Sequence, residues 1–308
     1  MELKQLERFL AVYDQGSLAK AAKTLGLTQQ ALSATLANLE EALETRLFDR
    51  GPGGVTRATT AGDALVTHAR AQLAADARAV EEIRDISEGR TGSVTIGVGE
   101  AFAGQIIVDA VQNVQSRHPQ VRINLIEGYS EQLRYRLYDG EFDFIAAGVS
   151  AFELDPEFTR DQIYSTDDVI VCRRDHPLAQ RKKLKLEDLC GYGWLVPYSR
   201  PSDLNTIVDT FVAHNLEPPT QLIGSDAYRI GMELLAQSDL LVMVSPALID
   251  TELDGDSPLL CRLNISKPTI RRHASLIYPR NRPMTAQAKL LLDEVRKQTQ
   301  LAGNKNSA

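Results

Sequence analysis

The feature that most constrains this fold is a change in the spacing of apolar residues close to residue 92. Before that point, apolar side chains recur three or four positions apart, which is the spacing of amphipathic helices. From Ser93 onward, short alternating apolar stretches take turns with helical ones. This order predicts an α-helical N-terminal part and an α/β C-terminal part, joined by a glycine-containing hinge at residues 88–92.

The first sixty residues predict three short helices. Gly16 ends the first helix, and Thr28 is a good N-cap for a third helix that runs to about Glu44. Only Gly26 and Leu27 separate the second helix from the third. Such a tight connection is typical of a helix-turn-helix.

A wing and a long helix are predicted next. The Gly/Pro-rich stretch 51–54 predicts a small hairpin, and Thr60, with Asp63 three residues later, is expected to cap an alanine-rich helix reaching about Ser87. The helix carries a stripe of larger apolar residues, namely Leu65, Leu73, Val80, Ile83 and Ile86. One helix cannot bury such a stripe, so we expect it to pair with another helix; the alternative is packing against its own domain.

The remainder of the chain predicts two α/β subdomains. Strand and helix patterns alternate twice between residues 93 and 244, which favours two sheets with mainly parallel strands. A further strand at 270–278 and a closing helix at 285–300 follow.

Cysteine usage and hydropathy limit where such a chain works. Its three cysteines, Cys172, Cys190 and Cys261, are odd in number and widely spaced, which argues against a disulfide framework or a zinc ribbon. The longest apolar stretches are too short to span a membrane, and Met1–Glu7 lacks the apolar core of a signal peptide. We therefore expect a cytoplasmic protein with no membrane partner.

The third helix is the candidate element for reading DNA. The net charge of −7 does not support this role, and the first sixty residues hold seven basic and seven acidic side chains. The argument therefore depends on placement: Leu32, Leu36, Leu39 and Leu43 form an inward stripe, and amides, a hydroxyl and small side chains occupy the opposite face. Such groups can reach base edges in a major groove, and nearby arginines can hold phosphates, although a merely solvated face is the alternative. The candidate DNA-binding residues are Thr28, Gln29, Gln30, Ser33, Ala34, Arg46, Arg50 and Arg57.

Several of these segments resemble the LysR-type transcriptional regulators. The matching segments are Ser17–Ala22, Leu25–Ser33, Leu39–Glu40, Leu47–Arg50, Thr59–Gly62, Gly140–Asp143 and His176–Ala179. The resemblance spans nearly the whole chain in the family's order. It implies a winged helix-turn-helix, a dimerising linker helix, and an α/β effector domain of two lobes similar to periplasmic binding proteins.

The resemblance also implies domain bounds and partners. The bounds are residues 1–59 for the winged helix-turn-helix, 60–88 for the linker helix and 93–302 for the effector domain. In that domain, lobe I comprises about 93–162 and 270–300, and lobe II about 163–269. The implied partners are double-stranded DNA, further copies of the chain in a homodimer and a homotetramer, RNA polymerase and a small-molecule effector, without a cofactor.

The sequence departs from the family pattern at several positions. Gln30 replaces the common Pro or Ser, and Ala34 and Thr35 replace polar or basic residues, so the family's base specificity is not transferred to this chain. Glu100 and Ala101 stand where relatives often place Ser or Thr to bind an acidic effector.

Ligands of open α/β sheets bind beyond the carboxyl ends of strands, beside helix N-termini. This rule selects the candidate effector-binding residues Glu100, Ala101, Phe102, Tyr129, Ser130, Gly148, Tyr198, Ser199, Arg200, Ser202 and Asp226. Glu100 either repels a carboxylate and favours a cation or hydroxyl-rich ligand, or is an exposed residue at a helix N-terminus. Arg200 can pair with Glu100 or with an anion.

No catalytic arrangement is apparent in the sequence. The five histidines are scattered without metal-ligand spacing, and Gly97-Val98-Gly99 lacks the third glycine of a dinucleotide-binding turn. A solute-binding protein would suit the C-terminal two-thirds, but it should carry an export signal and no helix-turn-helix. We therefore expect a sequence-specific DNA-binding regulator and not an enzyme. Paired linker helices would set the spacing of two recognition helices, and effector binding would shift the lobes.

Overall fold

The computed structural model describes residues 1–50, 56–87, 92–102, 104–149, 156–253, 258–280 and 282–305. The chain forms two compact units, residues 1–92 with 135–142, and residues 93–134 with 143–308. In the first unit the elements are α1 (Leu3–Gln15), α2 (Leu18–Thr24), α3 (Gln29–Ala42), β1 (Phe48–Arg50), β2 (Thr56–Ala58) and α4 (Thr60–Ser87).

The helix boundaries follow local capping chemistry. Gly16 ends α1 in the left-handed region at φ 57°, where glycine carries no steric penalty. The side chain of Ser17 accepts a hydrogen bond from the Lys20 amide, and Thr28 accepts one from Ala31 at 3.2 Å. The predicted helix-turn-helix is confirmed, although α3 ends two residues before the expected Glu44.

An apolar core holds the three helices together. Its largest side chains include Leu6, Phe9, Leu32 and Leu39, each at most 1% exposed. Leu43, expected in the same inward stripe, is instead 37% exposed. It lies at the C-cap, where the helix ends, so its side chain no longer follows the helical spacing that directs the other leucines into the core.

The wing is an antiparallel pair, β1 and β2, as predicted, whereas its tip at 51–55 lies outside the described residues. The Glu40 carboxylate accepts hydrogen bonds from the backbone amides of Leu47 at 2.7 Å and Phe48 at 3.1 Å. The Thr56 amide donates to the Gly16 carbonyl at 3.0 Å. The wing is therefore attached to both α3 and the turn after α1.

The long helix α4 is confirmed, but its expected cap was wrong by one residue. Thr59 accepts the Gly62 amide at 3.1 Å, and Thr60 is already the first helical residue. Leu65 and Leu73 pack against the helix-turn-helix core, so the alternative of packing within its own domain holds for the first half.

The second half of α4 differs. Val80 is 52% exposed and Ile83 is 69% exposed in this single chain. The side chain of Ile86 lies outside the described part.

The second unit contains two five-stranded sheets. The first has the order β4-β3-β5-β12-β6 and the second β11-β7-β10-β8-β9. The strands are β3 (Ser93–Val98), β4 (Arg122–Glu127), β5 (Phe144–Val149), β6 (Phe158–Asp167), β7 (Val169–Arg173), β8 (Trp194–Val196), β9 (Leu222–Gly224), β10 (Leu241–Val244), β11 (Leu260–Arg262) and β12 (Arg271–Pro279). The helices of this part of the chain are α5 (Gln105–Arg117), α6 (Ser130–Tyr138), α7 (Pro201–Ala213), α8 (Tyr228–Ala236), α9 (Pro246–Leu253) and α10 (Ala286–Lys305); residues 135–138 of α6 belong to the first unit.

The two sheets are mixed, but four of the five strands in each run in the same direction, in agreement with the expectation of mainly parallel strands. The reversed strand is β12 in the first sheet, between β5 and β6, and β7 in the second, between β10 and β11. Strands β6, β7 and β11 and helix α9 had no counterpart in the expected pattern. Strand β6 continues to Asp167, beyond the crossing between lobes expected at residues 162–163.

The antiparallel pairing of β7 with β11 also brings two distant cysteines together. Cys172 on β7 lies opposite Cys261 on β11, and their free thiols are 3.6 Å apart. Their wide spacing in the sequence gave no sign of this.

Candidate functional site

Helix α3 exposes the face expected to read DNA. Gln29, Gln30 and Ala34 are exposed, and Ser33 is half-buried. Thr28 is also exposed, although its oxygen serves as the cap of the helix. The first two turns thus offer amides and small side chains to a partner.

Thr35 has a structural role that the sequence did not indicate. Its hydroxyl accepts a hydrogen bond from Arg8 Nη1 at 2.6 Å and donates to the Ala31 carbonyl at 3.0 Å. The side chain therefore joins α1 to α3 and is not a free base-contacting group.

The wing carries the candidate phosphate contacts. Arg46 and Arg57 are exposed, and Arg57 lies opposite Asp49 in the strand register. The Thr59 hydroxyl donates to the Arg46 carbonyl at 2.7 Å, which holds the backbone beside this side chain. Arg50 ends β1, and its side chain lies outside the described residues.

Charge is unevenly distributed along α3. The first turn has no acidic residue, whereas Glu40 and Glu41 lie near the C-terminal end. At 1.5 Å per residue, Glu40 is about 16 Å along the axis from Gln29. The neutral total of the first sixty residues thus does not describe the end of the helix that carries the candidate contacts.

In the second unit, a single 3-10 turn at Glu100–Phe102 follows β3. Ala101 and Phe102 are 2% and 1% exposed and belong to the core of the first sheet, so their side chains are structural. The Glu100 side chain is 13% exposed and pairs with Arg200. The alternative of an exposed carboxylate at a helix N-terminus was therefore wrong.

Arg200 is the centre of a buried ionic cluster. Its Nη2 lies 3.1 Å from Glu100 Oε2 and 2.6 Å from Asp203 Oδ2. Its guanidinium also lies over the Tyr129 ring, 5.0 Å from the centroid. Glu100 and Tyr129 follow strands of the first sheet, and Arg200 precedes α7 beside the second, so this contact joins the two lobes.

Arg272 and Asp168 complete the cluster and were not predicted. Arg272 Nη2 lies 2.7 Å from Asp168 Oδ2 and 2.8 Å from Asp203 Oδ2, and all three residues are at most 6% exposed. One signal was available in the sequence. Arg272 shares its phase along the strand with Ala274 and Leu276, which point inward, and a charge at an inward position requires a partner.

Burial sets the direction of two pKa shifts at this site, those of Asp168 and Tyr129. Desolvation raises the pKa of Asp168 from 3.8 to about 6, even though Arg272 acts in the opposite direction. Desolvation, with the negative charge of Glu100, raises the pKa of Tyr129 to about 12. The Tyr129 phenol is therefore neutral at physiological pH, and its O–H stays available as a donor.

The other effector-binding candidates lie apart from this cluster or are engaged locally. Ser199 donates to Asp226 Oδ1 through both its amide and its hydroxyl, at 3.0 and 3.1 Å. Ser130 donates to the Gly148 carbonyl at 2.6 Å. Two further candidates are open to solvent: Tyr198, which is 80% exposed, and Ser202.

A cavity adjoins the cluster. Glu100 and Tyr129 form part of its wall, together with Leu195, Val196, Pro197, Ser225, Ala227, Tyr228, Gly231, Met232, Val242, Met243, Val244 and Leu248. Among the described residues of this wall, Glu100 is the one with a charge. The cavity therefore places one carboxylate beside a mainly apolar wall.

Two classes of site are absent from the described part of the chain. It contains no group of three or more His, Cys, Asp or Glu side chains that could hold a metal ion. Its helices include none with both the length and the apolar character of a membrane span.

Similar proteins agree with this architecture. The HTH-type transcriptional regulator GbpR of Azospirillum brasilense is 30% identical over 250 residues, which cover 80% of this chain and 72% of that protein. The SDS degradation transcriptional activation protein of a Pseudomonas species is 28% identical over 302 residues, covering 95% and 96%.

Solved structures show the same fold. The crystal structure of CbnR, a LysR family transcriptional regulator, superposes with a TM-score of 0.63 at 19% identity and covers 97% of this chain and 99% of that one. Full-length CbnR complexed with its target DNA gives 0.62 at 19% identity, covering 97% and 100%.

The family models match both units. Residues 3–63 match the bacterial regulatory helix-turn-helix protein, lysR family, and residues 87–300 match the LysR substrate binding domain. The chain therefore belongs to the LysR family, as a DNA-binding transcriptional regulator with an effector-binding domain, and it is not an enzyme.

Proposed function

We propose that α3 enters the major groove of double-stranded DNA and that the wing arginines hold the flanking phosphates. The observation that carries this proposal is the exposed face of the first two turns of α3, which has amides and small side chains and no acidic residue in its first turn. In this arrangement Gln29, Gln30, Ser33 and Ala34 face base edges. Thr28, Arg46, Arg50 and Arg57 face the sugar–phosphate backbone.

The proposed assembly is a homodimer through α4 that pairs further into a homotetramer. Support comes from the exposure of Val80 and Ile83 on the half of α4 that does not pack against the helix-turn-helix core. A second α4 would bury this stripe and set the distance between two recognition helices. The proposed bounds remain 1–59, 60–88 and 93–302.

The proposed effector site is the cleft lined by Glu100 and Tyr129 from one lobe and Arg200 from the other. A small molecule bound there would change the contact between the lobes and so bias the equilibrium between regulatory states. One similar protein is a transcriptional activation protein, and the similar CbnR forms a complex with its target DNA; both are consistent with an action on promoters. We propose RNA polymerase as a further partner and the cytoplasm as the location.

A mobility-shift titration tests the DNA proposal. The full-length protein is titrated against the region upstream of its own gene at two salt concentrations, with excess nonspecific competitor. Gln29→Ala should alter the preference among mutated sites. Arg57→Ala should weaken binding to all of them and reduce the slope of log K against log salt by about 1.

Asn38→Ala is the matched control, because it removes another exposed amide from α3 more than two turns further on. It should leave both the preference and the slope unchanged. If Asn38→Ala changes the preference and Gln29→Ala does not, the assigned face of α3 is wrong.

A further inference from the structure

We propose that the effector of this cleft is an organic cation, a protonated amine or guanidine with an apolar body, whose charged head takes the position of the Arg200 guanidinium. The inference rests on the proposed function, because it takes the cleft to be the effector site. It goes further in naming the chemical class and the group that the effector displaces.

The first support is the environment of Arg200. Glu100 Oε2 and Asp203 Oδ2 hold its Nη2 at 3.1 and 2.6 Å, and the Tyr129 ring covers the guanidinium at 5.0 Å. Carboxylates combined with an aromatic face form a cation-binding cage. Glu100 and Tyr129 belong to one lobe, whereas the cation that fills the cage comes from a loop of the other. The cleft thus binds a cation already, and that cation is part of the chain.

The second support is the sum of charges around the cage. Three carboxylates (Glu100, Asp168 and Asp203) pair with two guanidiniums (Arg200 and Arg272), which leaves a net charge of −1 when all five groups are ionised. The pKa of Asp168 is about 6, so this carboxylate is mainly ionised at pH 7. An anionic effector would be buried beside this excess, which is unfavourable in a medium of low dielectric constant.

Unsatisfied groups point in the same direction. Among the described atoms of the cluster, Asp168 Oδ1 and Asp203 Oδ1 are buried acceptors without a hydrogen-bond partner, and Arg200 Nε is the one donor of this kind. A ligand with several N–H donors on one charged head matches two orphaned acceptors better than a carboxylate, which brings only acceptors.

The third support is the cavity beside the cage. Ten of its fourteen described wall residues are Ala, Gly, Leu, Met, Pro or Val, and the only charge among them is that of Glu100. It is a small, partly open cavity with a volume of about 30 Å³. Glu100 both lines this cavity and holds the Arg200 guanidinium, so withdrawal of Arg200 would free the Glu100 carboxylate for a ligand in the cavity. We infer that the effector competes with Arg200 and thereby separates the contact between the lobes.

Three probes with one common body test the charge preference: phenethylamine, 2-phenylethanol and phenylacetate. Their binding to the full-length protein is measured by calorimetry. Phenethylamine should bind, and the neutral and anionic probes should bind at least about tenfold more weakly. Arg200→Ala should bind phenethylamine at least about tenfold more tightly than the unmodified protein, because the competing guanidinium is gone. Glu100→Gln should weaken phenethylamine binding.

The matched control is Arg229→Ala. Arg229 is an arginine of the same lobe whose side chain is 92% exposed and pairs with Glu233 on its own helix. Its removal should leave the binding of all three probes unchanged. Unfolding followed by the fluorescence of Trp194, the only tryptophan, establishes that each variant is folded.

Two results would overturn the proposal: phenylacetate or 2-phenylethanol binding as tightly as phenethylamine, or no binding of phenethylamine to either the unmodified protein or Arg200→Ala. If Arg200→Ala does not fold, the Glu100→Gln comparison decides, since equal phenethylamine affinity in that variant contradicts the cage. Failure of the proposed function gives a different result. A cleft that binds phenethylamine without any change in the mobility shift is a cation site but not a regulatory one.

Discussion

The two parts of this regulator differ in whether their charged side chains are buried. Among the described residues before residue 93, every buried side chain is apolar, and charged groups lie at the surface or are half-buried. The effector-binding part buries Asp168, Arg200, Asp203 and Arg272, each at most 6% exposed. A surface that meets a polyanion can leave its cations in water until the partner arrives. A cleft that discriminates between small molecules excludes water from its charged side chains. Away from water, each electrostatic interaction is stronger and each polar group without a partner is more destabilising.

Two neighbouring arginines of β12 show the difference between an exposed and a buried ion pair most directly. Arg271 pairs with Asp167 at the surface, and Arg272 pairs with Asp168 in the interior, both at hydrogen-bond distance. Arg272→Met should lower the free energy of unfolding by about 3 to 5 kcal/mol, because Asp168 and Asp203 lose their shared partner while buried. Urea unfolding followed by Trp194 fluorescence measures this change.

Arg271→Met is the control for that experiment. Its side chain is 64% exposed and its partner Asp167 is 50% exposed, so water replaces the lost contact. We expect no resolvable change in the urea midpoint. Equal effects of the two substitutions would mean that the buried cluster is not a special feature of the cleft.

The contrast between the two parts also explains how far the sequence predicted the molecule. Helix-turn-helix residues are positioned by neighbours: Gly16, Thr28 and the apolar spacing of α3 lie within thirty residues of one another, so local capping and periodicity were sufficient. The N-cap of α4 was assigned to Thr60 instead of Thr59 because two successive threonines both fit the start of this helix.

The cleft is assembled from segments that lie far apart in the sequence, and local sequence patterns do not predict contacts between such segments. Glu100, Asp168, Arg200 and Arg272 meet only because β12 returns to the first sheet antiparallel and carries Arg272 beside the start of β7. The strand-end rule selected Glu100, Tyr129 and Arg200, but it cannot tell a side chain in the core, such as Phe102, from one in the cleft.

A second way to test the contrast is to vary pH. The pKa of Asp168 is about 6 in the folded protein and ordinary, near 3.8, in the unfolded chain, so the folded state holds this proton to a higher pH. Its contribution to stability is present below pH 4 and is lost as the pH rises through 6. Between pH 4.5 and 7.5, the protein should lose on the order of 2 kcal/mol relative to Asp168→Asn, whose amide does not titrate.

Trp194 fluorescence in urea across that range gives the measurement. Asp167→Asn is the control, since Arg271 lowers the pKa of Asp167, which leaves it ionised throughout. Parallel pH profiles of the unmodified protein and Asp168→Asn would show that Asp168 titrates normally.

In the first part of the molecule, Glu40 is one of the charged side chains with a structural role. Glu40→Ala should cost about 1 to 2 kcal/mol locally, because the Leu47 and Phe48 amides lose a charged acceptor. Hydrogen exchange of these two amides should accelerate by about five- to thirtyfold. Glu41→Ala, an exposed neighbour, should leave the exchange unchanged. Unchanged exchange in Glu40→Ala would mean that other contacts hold the wing to α3.

The smallest effect on stability, and the clearest on function, is expected at Thr28. Thr28→Asp retains a side-chain oxygen that can accept the Ala31 amide, and a carboxylate at this end of α3 is favoured by the helix dipole. Thermal unfolding should therefore change little. The same carboxylate would face a DNA phosphate in the proposed complex, so affinity for all sequences should fall at least about tenfold. Thr28→Ser, which keeps the cap without the charge, should bind as the unmodified protein does. If Thr28→Asp binds DNA normally, the N-terminus of α3 does not approach the backbone, and the exposed charges of this part would serve solubility and not recognition.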